Sequence, residues 1–180
     1  MKAIKRFICI FFLSLLSSIT YGQEVEEEPK EEEGKHRITF MPSHTFIKIG
    51  SSDSQKWTAL ASYGLNYDYW IKENMAIGLH SDLVAESFIV SRFDDAETIE
   101  RERPLALIGV FLYKFECGLT PLVGAGIELE KEEQLALIHL GMEYGVEFNK
   151  GWEVGGNMTY DLKVDVYNSF AFGISISKRL

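Results

Sequence analysis

Period-two alternation of apolar and polar residues recurs in eight stretches of this chain, the opposite face of those stretches carries charges and glycines, and the aromatic residues gather at the stretch ends. Together these observations predict an all-β protein: a closed antiparallel eight-stranded transmembrane β-barrel, preceded by a signal peptide and a disordered acidic segment.

The order of residues before the barrel sets its context. Lys2, Lys5 and Arg6 precede an apolar run from Phe7 to Leu16 and a small polar stretch from Ser17 to Thr20, the pattern of a secretory signal over residues 1–22 with cleavage after Gly22. The run is too short to span a bilayer as a helix. Cys9 lies inside it and not at the cleavage position, which argues against a lipid anchor. Without residues 1–22, 15 Lys+Arg face 27 Asp+Glu, a formal net charge of −12, and nucleic acid is excluded as a partner because phosphate recognition needs a basic surface. Cys117 is then the only cysteine, so no internal disulfide can staple the domain. Residues 23–35 hold seven glutamates in Glu24 to Gly34 and almost nothing apolar, which predicts a solvated linker. The remainder, 36–180, reads as one barrel domain.

The alternation is clearest near the C-terminus. In residues 136–148, Ala136, Ile138, Leu140, Met142, Tyr144, Val146 and Phe148 alternate with His139, Gly141, Glu143, Gly145 and Glu147. The same parity runs through Trp152 to Lys163 and Phe170 to Arg179. The eight segments fall at 37–49, 57–71, 75–90, 104–116, 120–130, 134–148, 151–163 and 168–180. Their connections alternate between tight turns (72–74, 117–120, 149–151) and the loops 51–56, 91–103, 131–133 and 164–167, the asymmetry of outer-membrane barrels. Two segments lack clean parity. Pro42 suggests a strand end or bulge in the first, and LALIGVFLYKF (105–115) is apolar on both faces except at Lys114, so its facing is open.

Which face meets lipid follows from the aromatic residues. Tyr67, Tyr69, Tyr113, Phe115, Tyr144, Phe148 and Trp152 fall beside the tight turns, and Trp57, Phe88, Tyr167 and Phe170 near the loop ends. Two aromatic belts flanking aliphatic centres suit the two interfaces of a membrane. A soluble barrel of the lipocalin type would instead turn its apolar face inward. The polar face carries His80, Asp82, Glu86, Glu128, His139, Glu143, Asp161, Lys163 and Arg179, together with Gly64, Gly78, Gly124, Gly126, Gly141, Gly145, Gly155 and Gly173. Its expected role is a packed lumen with an internal ion-pair network in which Lys114, Lys163 and Arg179 are the cations.

The final strand, FAFGISISKRL, resembles the terminal assembly signal of the small eight-stranded outer-membrane β-barrel proteins of Gram-negative bacteria, although it ends in Leu180 where that signal has an aromatic residue. YGLNYDYW, MAIGLHSDLVAESF and ERERP are also similar to exported barrels of this class, so the resemblance covers residues 36–180. It implies location in the bacterial outer membrane, with outer-membrane lipid and the barrel-insertion machinery as partners, and no particular activity.

Three chemistries remain to be weighed. A metal site would draw on His80, Asp82 and Glu86, with His139 and Glu143, but same-face neighbours on one strand are roughly 6.6 Å apart, so the bland reading is lumen filling. A lipid acyl hydrolase or transferase would use a serine and a histidine. The adjacent pairs Ser43-His44 and His80-Ser81 point to opposite faces of their strands and cannot act together. No motif calls for a cofactor. The reading preferred from sequence is a structural or surface-interaction barrel displaying loops 51–56 and 91–103, the second with five acids and three arginines, its surface partner unknown.

Overall fold

The computed structural model describes residues 34–49, 56–92, 98–131 and 133–180. The expected signal peptide, nearly all of the acidic segment and the tips of loops 51–56 and 91–103 lie outside these residues. Eight strands form one closed antiparallel barrel: β1 (His36–Ile49), β2 (Lys56–Lys72), β3 (Met75–Val84), β6 (Leu105–Tyr113), β7 (Leu119–Leu129), β8 (Leu135–Asn149), β9 (Trp152–Lys163) and β10 (Asn168–Arg179). Two short strands, β4 (Phe88–Ser91) and β5 (Thr98–Arg101), make a separate hairpin sheet.

Closure follows from the register. Arg37 pairs with Asp68, Asp68 with Gly78, Gly78 with Val110, Val110 with Gly124, Gly124 with His139, His139 with Asp161, Asp161 with Ser169, and Ser169 with Ile47. One circuit therefore returns to β1 ten residues from its start. A stagger of that size tilts the strands by about 40° and leaves an interior just wide enough for side chains. The circuit also shows why glycines line the lumen: a Cβ on Gly78 would press into the Asp68 carboxylate, and one on Gly124 would meet Val110.

Each wall strand keeps the parity expected of it. In β9, Glu153, Gly155, Asn157, Thr159, Asp161 and Lys163 face inward, while Trp152, Val154, Met158 and Tyr160 are exposed on the outside. Pro42 does not mark a strand end or a bulge. It sits in mid-β1 opposite Tyr63, and pairing with β10 keeps the same offset on both sides of it, so Arg37, Thr39, Met41, Ser43 and Thr45 all face inward. The open facing of 105–115 is resolved by packing. Ala106, Ile108, Val110 and Leu112 join Trp70, Ala76, Leu122 and Leu137 in an apolar cluster inside the barrel. The inner face of β6 is apolar because it packs on the apolar side chains of this cluster, so both faces are apolar and pattern alone was silent.

The segment 75–90 is not one strand. The wall strand ends at Val84, and the chain turns inward as β4, which pairs with β5 over the loop-end mouth. Phe88 and Val90 then pack on Ile47, Leu60, Val84, Leu135, Val166 and Tyr167 to form a second core cluster. Loop 91–103 is therefore in part a folded cap. Phe88 and Tyr167 do not belong to an outer belt: both are buried beneath the cap, edge to face with ring centroids 5.8 Å apart.

At the other end the turns are tight. Gly118 and Gly151 adopt φ of 85° and 68°, backbone that favours glycine. The Gly151 amide donates to Glu147 at 2.8 Å.

Because β10 closes the ladder against both β1 and β9, deleting Ser175 to Leu180 removes the pairs that reach Arg37 to Phe40 and Trp152 to Gly155. The truncated chain is expected to lose the difference in gel mobility between unheated and boiled samples that marks a closed barrel, whereas the full chain shows it.

Candidate functional site: the ion-paired lumen and its cap

Inward parity on seven wall strands, with one arginine from the cap, aligns charged and titratable side chains along the barrel interior. At the turn end, Arg37 donates from Nε and Nη2 to Asp68 at 3.0 and 2.8 Å, and from Nη2 to Glu143 at 2.8 Å. Its Nη1 lies 3.6 Å from Glu153. The Trp70 ring is shared by two cations, with the Arg37 and Arg179 guanidinium carbons 5.5 and 4.7 Å from its centroid. Such packing spreads positive charge over a buried aromatic face.

In the middle, His80 Nε2 donates to Asp68 at 3.0 Å, and His139 Nδ1 donates to Asp161 at 2.5 Å. A carboxylate can only accept, so each contact fixes the ring nitrogen that carries hydrogen. The two imidazoles meet edge to face with centroids 6.4 Å apart. Lys163 then links Asp161 at 3.1 Å, Ser169 at 2.5 Å and Glu128 at 3.7 Å.

At the mouth, Glu128 is the anchor of the cap. It accepts from Arg101 Nε at 3.0 Å and Nη2 at 2.7 Å, and from the Tyr167 hydroxyl at 2.7 Å. Arg101 also donates to the Glu133 carbonyl at 2.8 Å and is only 1% exposed. Burial, with the Glu128 charge against its hydroxyl, pushes the Tyr167 phenol well above its ordinary pKa, so it stays protonated and donates. Arg103, at the return from the cap to the wall, takes φ 46° directly before Pro104.

Of the residues expected in the lumen, His80, Asp82, Glu128, His139, Glu143, Asp161, Lys163 and Arg179 face inward in this structure. Glu86 does not. It follows the end of β3, is exposed, and accepts from the Ala61 amide at 3.2 Å. Lys114 also lies beyond its strand, lining a surface groove with Lys72, Glu73 and Cys117 at the turn end. Sequence reasoning missed Arg37, Asp68, Arg101, Glu153 and Tyr167 as members of the network. The parity of β2 places Asp68 with Gly64 and Asn66, and this signal was available. Arg37 was hidden by the mixed pattern around Pro42, and Arg101 by its place in a long loop.

Of the nine belt aromatics, Trp57, Tyr67, Tyr69, Tyr113, Phe115, Tyr144, Phe148 and Trp152 are exposed on the outer wall. Phe170 is half-buried in an outward cluster with Phe46 at 4.9 Å, Phe172 at 5.0 Å and Trp57 at 6.1 Å between ring centroids. At the loop end these rings crowd onto β1, β2 and β10.

The serines and histidines weighed for acyl chemistry are held apart. Ser43 bonds Ser62 inside the barrel, His44 is exposed on the outside, His80 is engaged by Asp68, and the Ser81 hydroxyl donates to the Leu65 carbonyl. Among the described residues, no three His, Cys, Asp or Glu side chains stand close enough to enclose a bare metal ion.

No protein-family model matches this chain, and no curated protein matches its sequence. Solved structures do match its fold. Ail, the attachment invasion locus protein of Yersinia pestis, is 11% identical, covering 82% of this chain and 99% of its own, with a TM-score of 0.53. The same protein in complex with the heparin analogue sucrose octasulfate is 9% identical over 82% and 99%, with a TM-score of 0.51. Neisserial surface protein A is 11% identical over 83% and 100%, with a TM-score of 0.50. This chain thus has the closed eight-stranded barrel fold of those proteins.

The shared role of Glu128 makes it the most sensitive position of the network. Glu128→Gln leaves Arg101 and Lys163 without their common anion, and breaking a buried pair in this way costs about 3–5 kcal/mol. Urea unfolding of the refolded barrel should show that loss, with faster tryptic cleavage at Arg101. Glu102→Gln, which removes an exposed partner of Lys131, should leave both measurements unchanged.

Proposed function

We propose that this protein is exported to the bacterial outer membrane and spans it as an integral barrel with a structural or surface-interaction role. The observation that carries this reading is the inversion of the usual protein interior. Exposed Leu65, Leu79, Val123, Ile138, Leu140 and Ile174 coat the outer wall, while the buried charges lie inside. A water-facing exterior of that composition would be an aggregation surface, whereas lipid solvates it. Wall strands of 9 to 17 residues reach across a hydrocarbon core, which a tilted strand spans in about 9–11. Closure leaves no unpaired ladder edge facing lipid. The exposed aromatics serve as interface anchors in this reading, and the ion pairs fill the lumen.

A structural role is favoured over catalysis because the serines and histidines weighed for acyl transfer are each turned away from one another. The interaction surface is the cap end. Residues 91–103 carry five acids against three arginines, and Arg101 is consumed internally by Glu128. A neutral or cationic partner suits that surface better than a polyanion of the kind seen bound to Ail.

Fractionation tests the location. The mature protein should sediment with outer membranes and require detergent for release, and recovery as a freely soluble periplasmic protein would overturn the assignment. Ile138→Arg on the lipid-facing stripe should cost about 2–4 kcal/mol near the bilayer midplane, read as a lower urea midpoint in lipid vesicles. Purified barrel incubated with phospholipid should release or transfer no acyl chains. Turnover that disappears in Ser43→Ala or His80→Ala would replace the structural role with an enzymatic one.

A further inference from the structure

We infer that the groove between the β2–β3 and β6–β7 turns binds the headgroup of a phospholipid carrying both a phosphate and a primary ammonium, as phosphatidylethanolamine does, in the leaflet at the turn end. The inference rests on the bilayer-spanning reading above and adds a specific lipid contact to it. The groove encloses about 840 Å³, with Lys72, Glu73 and Asn74 contributed by the first turn and Lys114, Glu116 and Cys117 by the second.

The first observation is a built gap lined by uncommitted charges. The Lys114 amide donates to the Asn74 carbonyl at 2.9 Å and the Phe115 amide to the Leu119 carbonyl at 2.9 Å, so the two turns are fastened together and those amides are consumed. Recognition is left to the side chains. Among the described residues, the side chains of Lys72, Glu73, Lys114 and Glu116 enter no ion pair or hydrogen bond. The third tight turn at this end differs. Glu147 accepts from the Gly151 amide at 2.8 Å, and Lys178 donates to the Lys150 carbonyl at 2.7 Å while its Nζ lies 5.5 Å from the Trp152 ring centroid. There the charged groups serve their own turn.

The second observation is the position of the groove on the wall. Tyr113 and Phe115 line it, edge to face with centroids 5.1 Å apart, and both are exposed members of the aromatic belt. Exposed Phe111, Ile77 and Leu79 continue the same sector of β6 and β3 away from the turns. A headgroup seated in the groove therefore lays its acyl chains on an apolar wall, at the depth where amphipathic rings are best placed.

The charge pattern selects the headgroup. The lining presents two ammonium groups and two carboxylates, with no net charge. A lipid phosphate accepts charge-assisted hydrogen bonds from Lys72 and Lys114, and an ethanolamine ammonium donates to Glu73 and Glu116 beside the aromatic rings. Phosphatidylglycerol would leave both carboxylates facing an anion. Choline has no N–H to donate to them.

The test uses the mature chain refolded in a maltoside detergent, with closure of every variant confirmed by heat-dependent gel mobility. Cys117 is a free, exposed thiol on the groove, so its rate of alkylation by a water-soluble maleimide reports occupancy. Short-chain phosphatidylethanolamine should slow alkylation saturably, at concentrations about tenfold below those needed with phosphatidylglycerol or phosphatidylcholine. Lys72→Gln with Lys114→Gln should remove the protection. Glu73→Gln with Glu116→Gln should keep protection but lose the preference for ethanolamine, and Lys131→Gln at the opposite end should behave as the parent. Equal protection by the three lipids, or none by any, overturns the inference. So does protection that is present before lipid is added and disappears on deletion of residues 23–33, which would give the groove to the chain's own acidic segment. A closed barrel that fails to enter phospholipid vesicles would instead overturn the bilayer-spanning reading itself, whichever lipid protects Cys117.

Discussion

Closing an eight-stranded ladder with a stagger of ten residues confines the interior to roughly the width of two opposing side chains, and nearly every other feature follows from that confinement. Small residues must stand beside large ones, which places Gly78 against Asp68 and Gly124 against Val110. Charges admitted to so narrow a space must be paired, since an isolated ion removed from water is far more costly than an apolar group. The long interior pairings, Arg37 with Glu143 and Lys163 with Glu128, exist because closure brings those strands within reach.

The lumen is divided rather than uniform. Polar side chains from β1, β2, β9 and β10 occupy one side, and the apolar inward row of β6 occupies the other with Leu122 and Leu137. Trp70 joins the two, packed in the apolar cluster while Arg37 and Arg179 lie over its ring. The arrangement limits the number of charges that need partners and still fills the volume. At its middle, the two carboxylate-held imidazoles meet edge to face across the lumen.

The cap shows the same economy at the mouth. A hairpin with an apolar inner face seals the upper cluster, and Arg101 descends from it to the carboxylate that also serves Lys163 and Tyr167. Cap and lumen are thereby one electrostatic unit through Glu128. The consequence is that the charge-dense segment 91–103 does not simply project into solvent. Its buried arginine belongs to the interior.

The wall strands, their inward and outward faces from β7 to β10, and the placement of the tight turns were legible in the sequence, because a half-polar strand in a closed sheet must alternate with period two. Glu143, Asp161, Lys163 and Arg179 were readable from that parity alone. What the tertiary structure decided were the places where a side chain's environment comes from distant chain. β6 is apolar on both faces because the opposite wall of the lumen supplies an apolar partner. Pro42 is accommodated in mid-strand where the pairing of β1 with β10 passes over Met41 and Pro42 and resumes at the same offset. Phe88, Tyr167 and Arg101 are interior because the chain leaves the wall at Val84 and folds back over the mouth. Periodicity records which face a residue is on, but burial beneath a cap and pairing across a lumen depend on residues as far apart as Arg37 and Glu143, and only closure brings them together.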